Sequence, residues 1–250
     1  GPRILTHHLN ADVAGDLGLS CGGTVEIVVE PLVAVPEYVQ ALEQVAASLA
    51  GILTTGLDWS SGPVKRFSPQ TVGPGEPAAA LSEDRRSLVE RLVPAPRVIV
   101  FGAGHVGSAI ALAAAAAGFQ VLVLDDRSEF ADPSRFPPHI SVSTAPAHDA
   151  LGRFAITAAD AVVIATRGHR HDALILERVA PSSASYVGLL GSRRKKSVVT
   201  KALAQAGVPL EALERVRVPV GLAIGAVTPE EIAVSVVAEL IAWRRGAATA

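Results

Sequence analysis

The sequence predicts an α/β protein, with a C-terminal Rossmann-like doubly wound parallel sheet and a smaller N-terminal α+β domain. Three observations predict it. Residues 97–127, RVIVFGAGHVGSAIALAAAAAGFQVLVLDDR, hold strand, glycine turn, helix and strand in order. Further strand-like apolar runs follow at 139–144, 160–166 and 185–190, as expected of a buried parallel sheet. Upstream, short strand and helix patterns alternate without such a fingerprint, and Pro94 and Pro96 mark the boundary, giving domains 1–93 and 94–250.

Within the β-α-β unit, residues 98–101 form an unbroken β-branched and aromatic run, and Gly102, Gly104 and Gly107 follow at once as G-x-G-x-x-G, with His105 inside the motif. The first glycine permits a tight turn, the second lets a pyrophosphate approach the backbone, and the third lets helix pack on strand. Residues 108–117 read as a small-residue helix whose free N–H groups and dipole point at that phosphate, and Gly118 stops it. The next strand, 120–124, ends at Asp125, eighteen positions after Gly107, where a carboxylate meets a ribose hydroxyl. Asp125 favours NAD. Arg127 offers the alternative, pairing a 2′-phosphate as in NADP. A third alternative is a doubly wound domain whose glycines serve packing alone.

Composition narrows the class. With 250 residues, 49% apolar and 18% charged, the chain has room for one large or two modest cores. A net charge of −2 supplies no basic field for nucleic acid, and no apolar run reaches the roughly 18 residues of a membrane span. One cysteine makes no internal disulfide, and no leader pattern opens the chain, so a reducing cytoplasm is expected. The lack of methionine suggests that the chain begins inside a longer protein.

At the N-terminus, residues 3–6 are apolar and run into His7 and His8, which as neighbours point to opposite faces and serve one metal ion poorly. Cys21 sits in a glycine-flanked turn, SCGGT, before the strand 25–30. Such a turn exposes N–H groups that stabilise a thiolate, while burial as a structural cysteine is the alternative. Residues 36–50 read as an amphipathic helix, 52–55 as a strand, 59–75 as a loop or short hairpin, and 82–92 as a helix capped by Ser82.

Beyond Arg127, residues 130–138 are a proline-punctuated loop. The fourth strand of the C-terminal sheet runs into Arg167, Gly168, His169, Arg170, His171 and Asp172, at the strand ends where α/β ligands bind. His169 and His171 are acid-base or ligand candidates there, or polar residues capping a helix that begins near Asp172. The fifth strand runs into Gly191, Ser192, Arg193, Arg194, Lys195 and Lys196 at a helix start, a candidate phosphate or pterin-phosphate site whose alternative is a solvated face. Thr228-Pro229-Glu230-Glu231 is a capping box opening the last helix, and the preceding 218–225 is an apolar loop with two glycines.

Several of these stretches together resemble the XdhC/CoxI family of accessory factors for molybdenum hydroxylases such as xanthine dehydrogenase. They are LGLSCGGTVEIVVEPL at 17–32, VIVFGAGHVGSAIA with LVLDDR, YVGLLGSRRK at 186–195 and PVGLAIGAVTPEEIAVSVVAELIA at 219–242. The last two are more distinctive than the glycine fingerprint. The resemblance implies a chaperone that binds the molybdenum cofactor (molybdopterin), supports its sulfuration with a cysteine desulfurase and delivers it to an apo-hydroxylase. It implies a cofactor-ligand or sulfido-protecting role for Cys21, with Gly22 and Gly23 leaving room for the pterin; Gly191, Ser192 and Arg193, from the basic helix start, are expected to join the cofactor-binding set. A homodimer is expected. The family's upstream glycine-rich G-G-C-x-E motif has no counterpart before Cys21, so the chain is expected to be a fragment or a divergent member. Two other readings compete: an NAD(P)-dependent oxidoreductase using His169 or His171, and a nucleotide-sensing interaction protein.

Overall fold

A computed structural model describes residues 1–9, 23–31, 35–46, 50–70, 78–146, 149, 151–152 and 154–247. The chain divides into two compact units, Gly1–Pro94 and Ala95–Ala250.

In the first unit, β1 (Arg3–Leu9) and β2 (Gly23–Val29) form an antiparallel ribbon with Leu5 opposite Ile27. Helix α1 (Val35–Ala46) precedes a four-stranded antiparallel sheet of β3 (Gly51–Gly56), β4 (Lys65–Pro69), β5 (Ala79–Leu81) and β6 (Ser87–Leu92), in the order β4-β3-β6-β5. Lys65, with 1% of its side chain exposed, joins these pieces. Its ammonium lies 2.9 Å from Glu30, 2.8 Å from the Thr55 hydroxyl and 5.6 Å from the centre of the Tyr38 ring.

The helix expected at 82–92 is instead a turn and strand β6. Asp84 accepts from the Ser82 hydroxyl at 2.6 Å and from the Arg86 amide at 3.0 Å, while Arg85 takes a φ of +56°. These local side-chain bonds offer the backbone a turn in competition with a helix. Leu88 and Val89 then pair across β3 and β5.

The second unit is a five-stranded, wholly parallel sheet of β7 (Arg97–Phe101), β8 (Gln120–Asp125), β9 (Ser141–Thr144), β10 (Asp160–Ile164) and β11 (Tyr186–Leu189), ordered β11-β10-β7-β8-β9. Read from the β9 edge and numbered from β7, this is 3-2-1-4-5, and the switch point lies between β7 and β10. Helices α2 (His105–Ala116), α3 (His169–Val179), α4 (Arg193–Gln205), α5 (Leu210–Glu214) and α6 (Pro229–Arg245) cover it. Alternation along the strands sorts the core. Ile99, Phe101, Leu122 and Ile164 pack with Ile175, Leu203 and Leu213, while Val98, Val100, Val121 and Val163 pack on the other face with Ile110, Val236 and Leu240. The expected doubly wound α/β architecture is present.

The strong capping box at the start of α6 is also present: the Glu231 amide donates to Thr228 Oγ1, and the Glu231 carboxylate accepts from the Thr228 amide. Buried positions on α6 hold the apolar loop before it. Ser235 donates to Leu222 O at 2.6 Å, and Glu239 accepts from the Gly221 amide at 2.6 Å and from Tyr186 and Arg217.

Candidate functional site

The site grows from the carboxyl ends of β7, β8 and β10. Gly102 has a φ of +103°, and a Cβ there would lie 2.5 Å from Ala165 O, so the turn admits glycine alone. A Cβ on Gly107 would lie 1.8 Å from Gly102 O, which fixes how closely α2 approaches the turn. Gly104 differs. Its φ of −67° is open to any residue, and a Cβ would meet nothing within 4 Å. No contact among the described residues asks for glycine there, and the open space leaves the backbone accessible to a ligand. Gly104 is also the N-cap of α2, and no side chain among the described residues caps it, which leaves the first-turn N–H groups to an outside acceptor. His105 follows it, exposed.

Asp125 closes the turn from the side. Its Oδ2 accepts from the Ala103 amide at 2.7 Å and Arg127 Nη2 at 2.9 Å, and its Oδ1 accepts from the Arg127 amide at 3.0 Å and Nε at 2.9 Å. Burial works to raise this carboxyl's pKa, but Arg127 and the Ala103 amide outweigh it and hold the group below the ordinary carboxylate value. The Arg127 guanidinium in turn lies 3.7 Å from the centre of the Phe130 ring. Arg135 donates to Ala103 O at 3.1 Å and to Phe130 O at 2.6 Å, a support for the turn that sequence reasoning missed.

Beside the turn is a cavity of about 250 Å³, lined in part by Gly102, Asp125, Asp126, Arg127, Thr166 and His171. It lies at the carboxyl ends of β7, β8, β9 and β10, where open α/β sheets bind their ligands. Asp126 and His171 are half-exposed at 49% and 55%, with His171 Nε2 4.0 Å from Asp126 Oδ2. The side chain of His169 lies outside the described residues.

The basic run at the start of α4 splits. Ser192 is the N-cap, its Oγ accepting from the Lys195 amide at 3.2 Å, and Arg193 and Arg194 are exposed. Lys195 turns inward, donating to Leu190 O at 2.8 Å and lying 2.5 Å from Oδ2 of the fully buried Asp172. That second contact is one of charge, since Oδ2 accepts no aligned hydrogen bond. Thr166 donates to the other Asp172 oxygen at 2.6 Å. Lys196 donates to Val216 O at 2.8 Å. Two of the four cations are thereby committed to structure. Gly191 has Lys195 methylenes over it and leaves no open cradle of the kind seen at Gly104.

Cys21 and Gly22 lie outside the described residues; Gly23 opens β2, and a Cβ there would meet no described residue within 4 Å. Among the described residues, no three or more His, Cys, Asp or Glu gather as a metal site, and no helix is long and apolar enough to cross a membrane.

Residues 98–240 match the family described as the XdhC Rossmann domain. The chain is 40% identical over 158 residues to a protein of Bacillus subtilis (strain 168) that is named as a probable xanthine dehydrogenase subunit; the match covers 63% of this chain and 46% of that one. It is 38% identical over 153 residues to the uncharacterized protein YqeB of Escherichia coli (strain K12), covering 61% of this chain and 28% of that one. A crystal structure described as a xanthine dehydrogenase from Bacillus halodurans aligns with a TM-score of 0.73 and 27% identity, over 98% of this chain and 76% of that one. The chain thus spans less than half the length of the two curated relatives, 46% and 28%.

Proposed function

The chain belongs to the XdhC family, carrying its Rossmann domain at residues 98–240, and on that premise we propose that it holds the molybdenum cofactor for a hydroxylase of the xanthine dehydrogenase type. In this proposal it supports sulfuration of the cofactor together with a cysteine desulfurase and delivers it to the apo-hydroxylase. It works in the cytoplasm as a homodimer. The name borne by the Bacillus subtilis relative, at 40% identity, supports the link to xanthine dehydrogenase.

The Rossmann unit takes an adenine nucleotide, NAD or NADP, and one observation carries that part: the open space at Gly104. A pyrophosphate lies against the turn and accepts from the first amides of α2. Asp125, Arg127 and Arg135 keep the turn in that shape, and the adenosine enters the adjoining cavity. An oxidoreductase reading has less support, since exposed His171 stands beside Asp126 at the adenosine cavity and the chain holds no Tyr-x-x-x-Lys pair.

Cys21, the only thiol of the chain, is the residue proposed to hold or shield the molybdenum centre, with Gly22 and Gly23 giving the pterin room. The bound cofactor would bring the sulfido-bearing metal that the client requires. Arg193 is an exposed cation that can meet a pterin phosphate. The test is mass spectrometry of small molecules released from purified protein after incubation with molybdopterin, for wild type and Cys21→Ser, alongside activation of an apo-hydroxylase. Retained pterin that falls in Cys21→Ser supports the proposal. Equal retention removes Cys21, and no retention with no activation removes the chaperone role.

A further inference from the structure

We propose that Asp126, rather than Asp125, reads the ribose, and that the cavity beside the glycine turn selects an adenine nucleotide whose 2′- and 3′-hydroxyls are both free. This rests on the nucleotide reading of the Rossmann unit. A carboxylate offers about four acceptor directions. At Asp125 four protein donors occupy them: the Ala103 amide, the Arg127 amide, and Arg127 Nε and Nη2. A diol reaching Asp125 has to displace part of the pair that holds the turn.

Asp126, the next residue on the cavity wall, has two long contacts among the described residues, 4.0 Å to the Arg127 guanidinium at Nε and 4.0 Å to the His171 ring at Nε2. Both exceed hydrogen-bond distance. Its half-exposed carboxylate therefore keeps acceptors for two hydroxyls at the mouth of the cavity. Arg127, the residue that would favour a 2′-phosphate, has one edge on Asp125 and one face on Phe130, and its charge is neutralised by that pair. A 2′-phosphate placed against Asp126 meets a like charge, which sets the preference by repulsion as well as by hydrogen bonding. The remaining cation on the wall is Arg167, which is exposed after β10 and makes no ion pair among the described residues.

Isothermal titration with NAD, NADP and ADP tests this on wild type, Asp126→Ala and Arg167→Ala. Wild type is expected to bind NAD at least tenfold more tightly than NADP. Asp126→Ala should weaken NAD by about ten- to a hundredfold, the loss of hydrogen bonds to a charged acceptor, and leave NADP unchanged or tighter. Asp126 is half-exposed and makes no contact shorter than 4.0 Å to a charged group among the described residues, so the variant should fold, which circular dichroism verifies. NAD binding with an unaltered preference in Asp126→Ala overturns the role of Asp126 and leaves the nucleotide site standing. A wild-type preference for NADP that disappears in Arg167→Ala overturns the inference in favour of phosphate reading. No binding of any of the three to folded wild type overturns the nucleotide reading itself, and this inference with it.

Discussion

Arg127 and Asp125 meet through two parallel bonds, Nε to Oδ1 and Nη2 to Oδ2, both 2.9 Å, with side chains only 16% and 3% exposed. The same carboxylate holds the Ala103 amide. The pair thus ties the end of β8 to the glycine turn after β7.

That arrangement sets an acid sensitivity. Burial pushes the Asp125 carboxyl up, but Arg127 and the Ala103 amide bring it to a net value below the ordinary one. As pH falls the unfolded chain takes up this proton first, so the stabilisation is present above about pH 4 and is lost as pH drops through the lower folded value. Asp125→Asn should cost about 1–3 kcal/mol at pH 7, and the difference from wild type should shrink towards pH 3. Urea midpoints at pH 7, 4 and 3 give the comparison, and a pH-independent difference would count against the pairing.

Tyr186 carries the opposite dependence. Burial, then the charge of Glu239 and the hydrogen bond to it at 2.7 Å, push its hydroxyl well above the usual tyrosine value. A raised folded pKa means stability present below about pH 10 and lost as pH rises beyond it. Absorbance at 295 nm should show Tyr186 ionising only as the protein unfolds in base. In Glu239→Gln the charge is gone, and ionisation should begin at lower pH; an unchanged alkaline profile would dissociate the two residues.

Lys195 and Arg193, two apart in the basic run, should behave differently. Lys195→Ala strands the buried Asp172 carboxylate and should cost about 3–5 kcal/mol. Arg193→Ala, at an exposed position, should stay within about 0.5 kcal/mol, and in the proposed role it weakens phosphate-bearing ligands chiefly at low salt. Thermal denaturation and a salt series separate the two, and similar stability losses would contradict the inward placement of Lys195.

The Rossmann unit was legible because its signals are local: the glycines, the unbroken apolar strands and the capping box at Thr228 each declare an element within a few residues. The hairpin at 79–92 was not, because Ser82 to Ser87 combines helix-forming residues with an Asp84 turn, and pairing with β3 decides the outcome. The commitments of Lys195 to Asp172 and of Glu239 to Tyr186 span 23 and 53 positions and leave no local trace. Asp125 was visible as the acid that ends β8, but the engagement of its oxygens by Arg127 and Ala103 depends on how the turn folds back. Asp126 gains its place on the cavity for the same reason.

Whether the glycine turn binds a ligand is decided by Gly104→Val. Its φ of −67° and the empty space around a Cβ mean that valine should fold with only about 1 kcal/mol lost from the helix cap. The same methyl groups would occupy the path of the pyrophosphate. Titration calorimetry with NAD and ADP should show submillimolar binding to wild type and its loss in a Gly104→Val protein that melts cooperatively near the wild-type temperature. Equal binding by the two proteins, or none by wild type, would rule out the glycine turn as the ligand site.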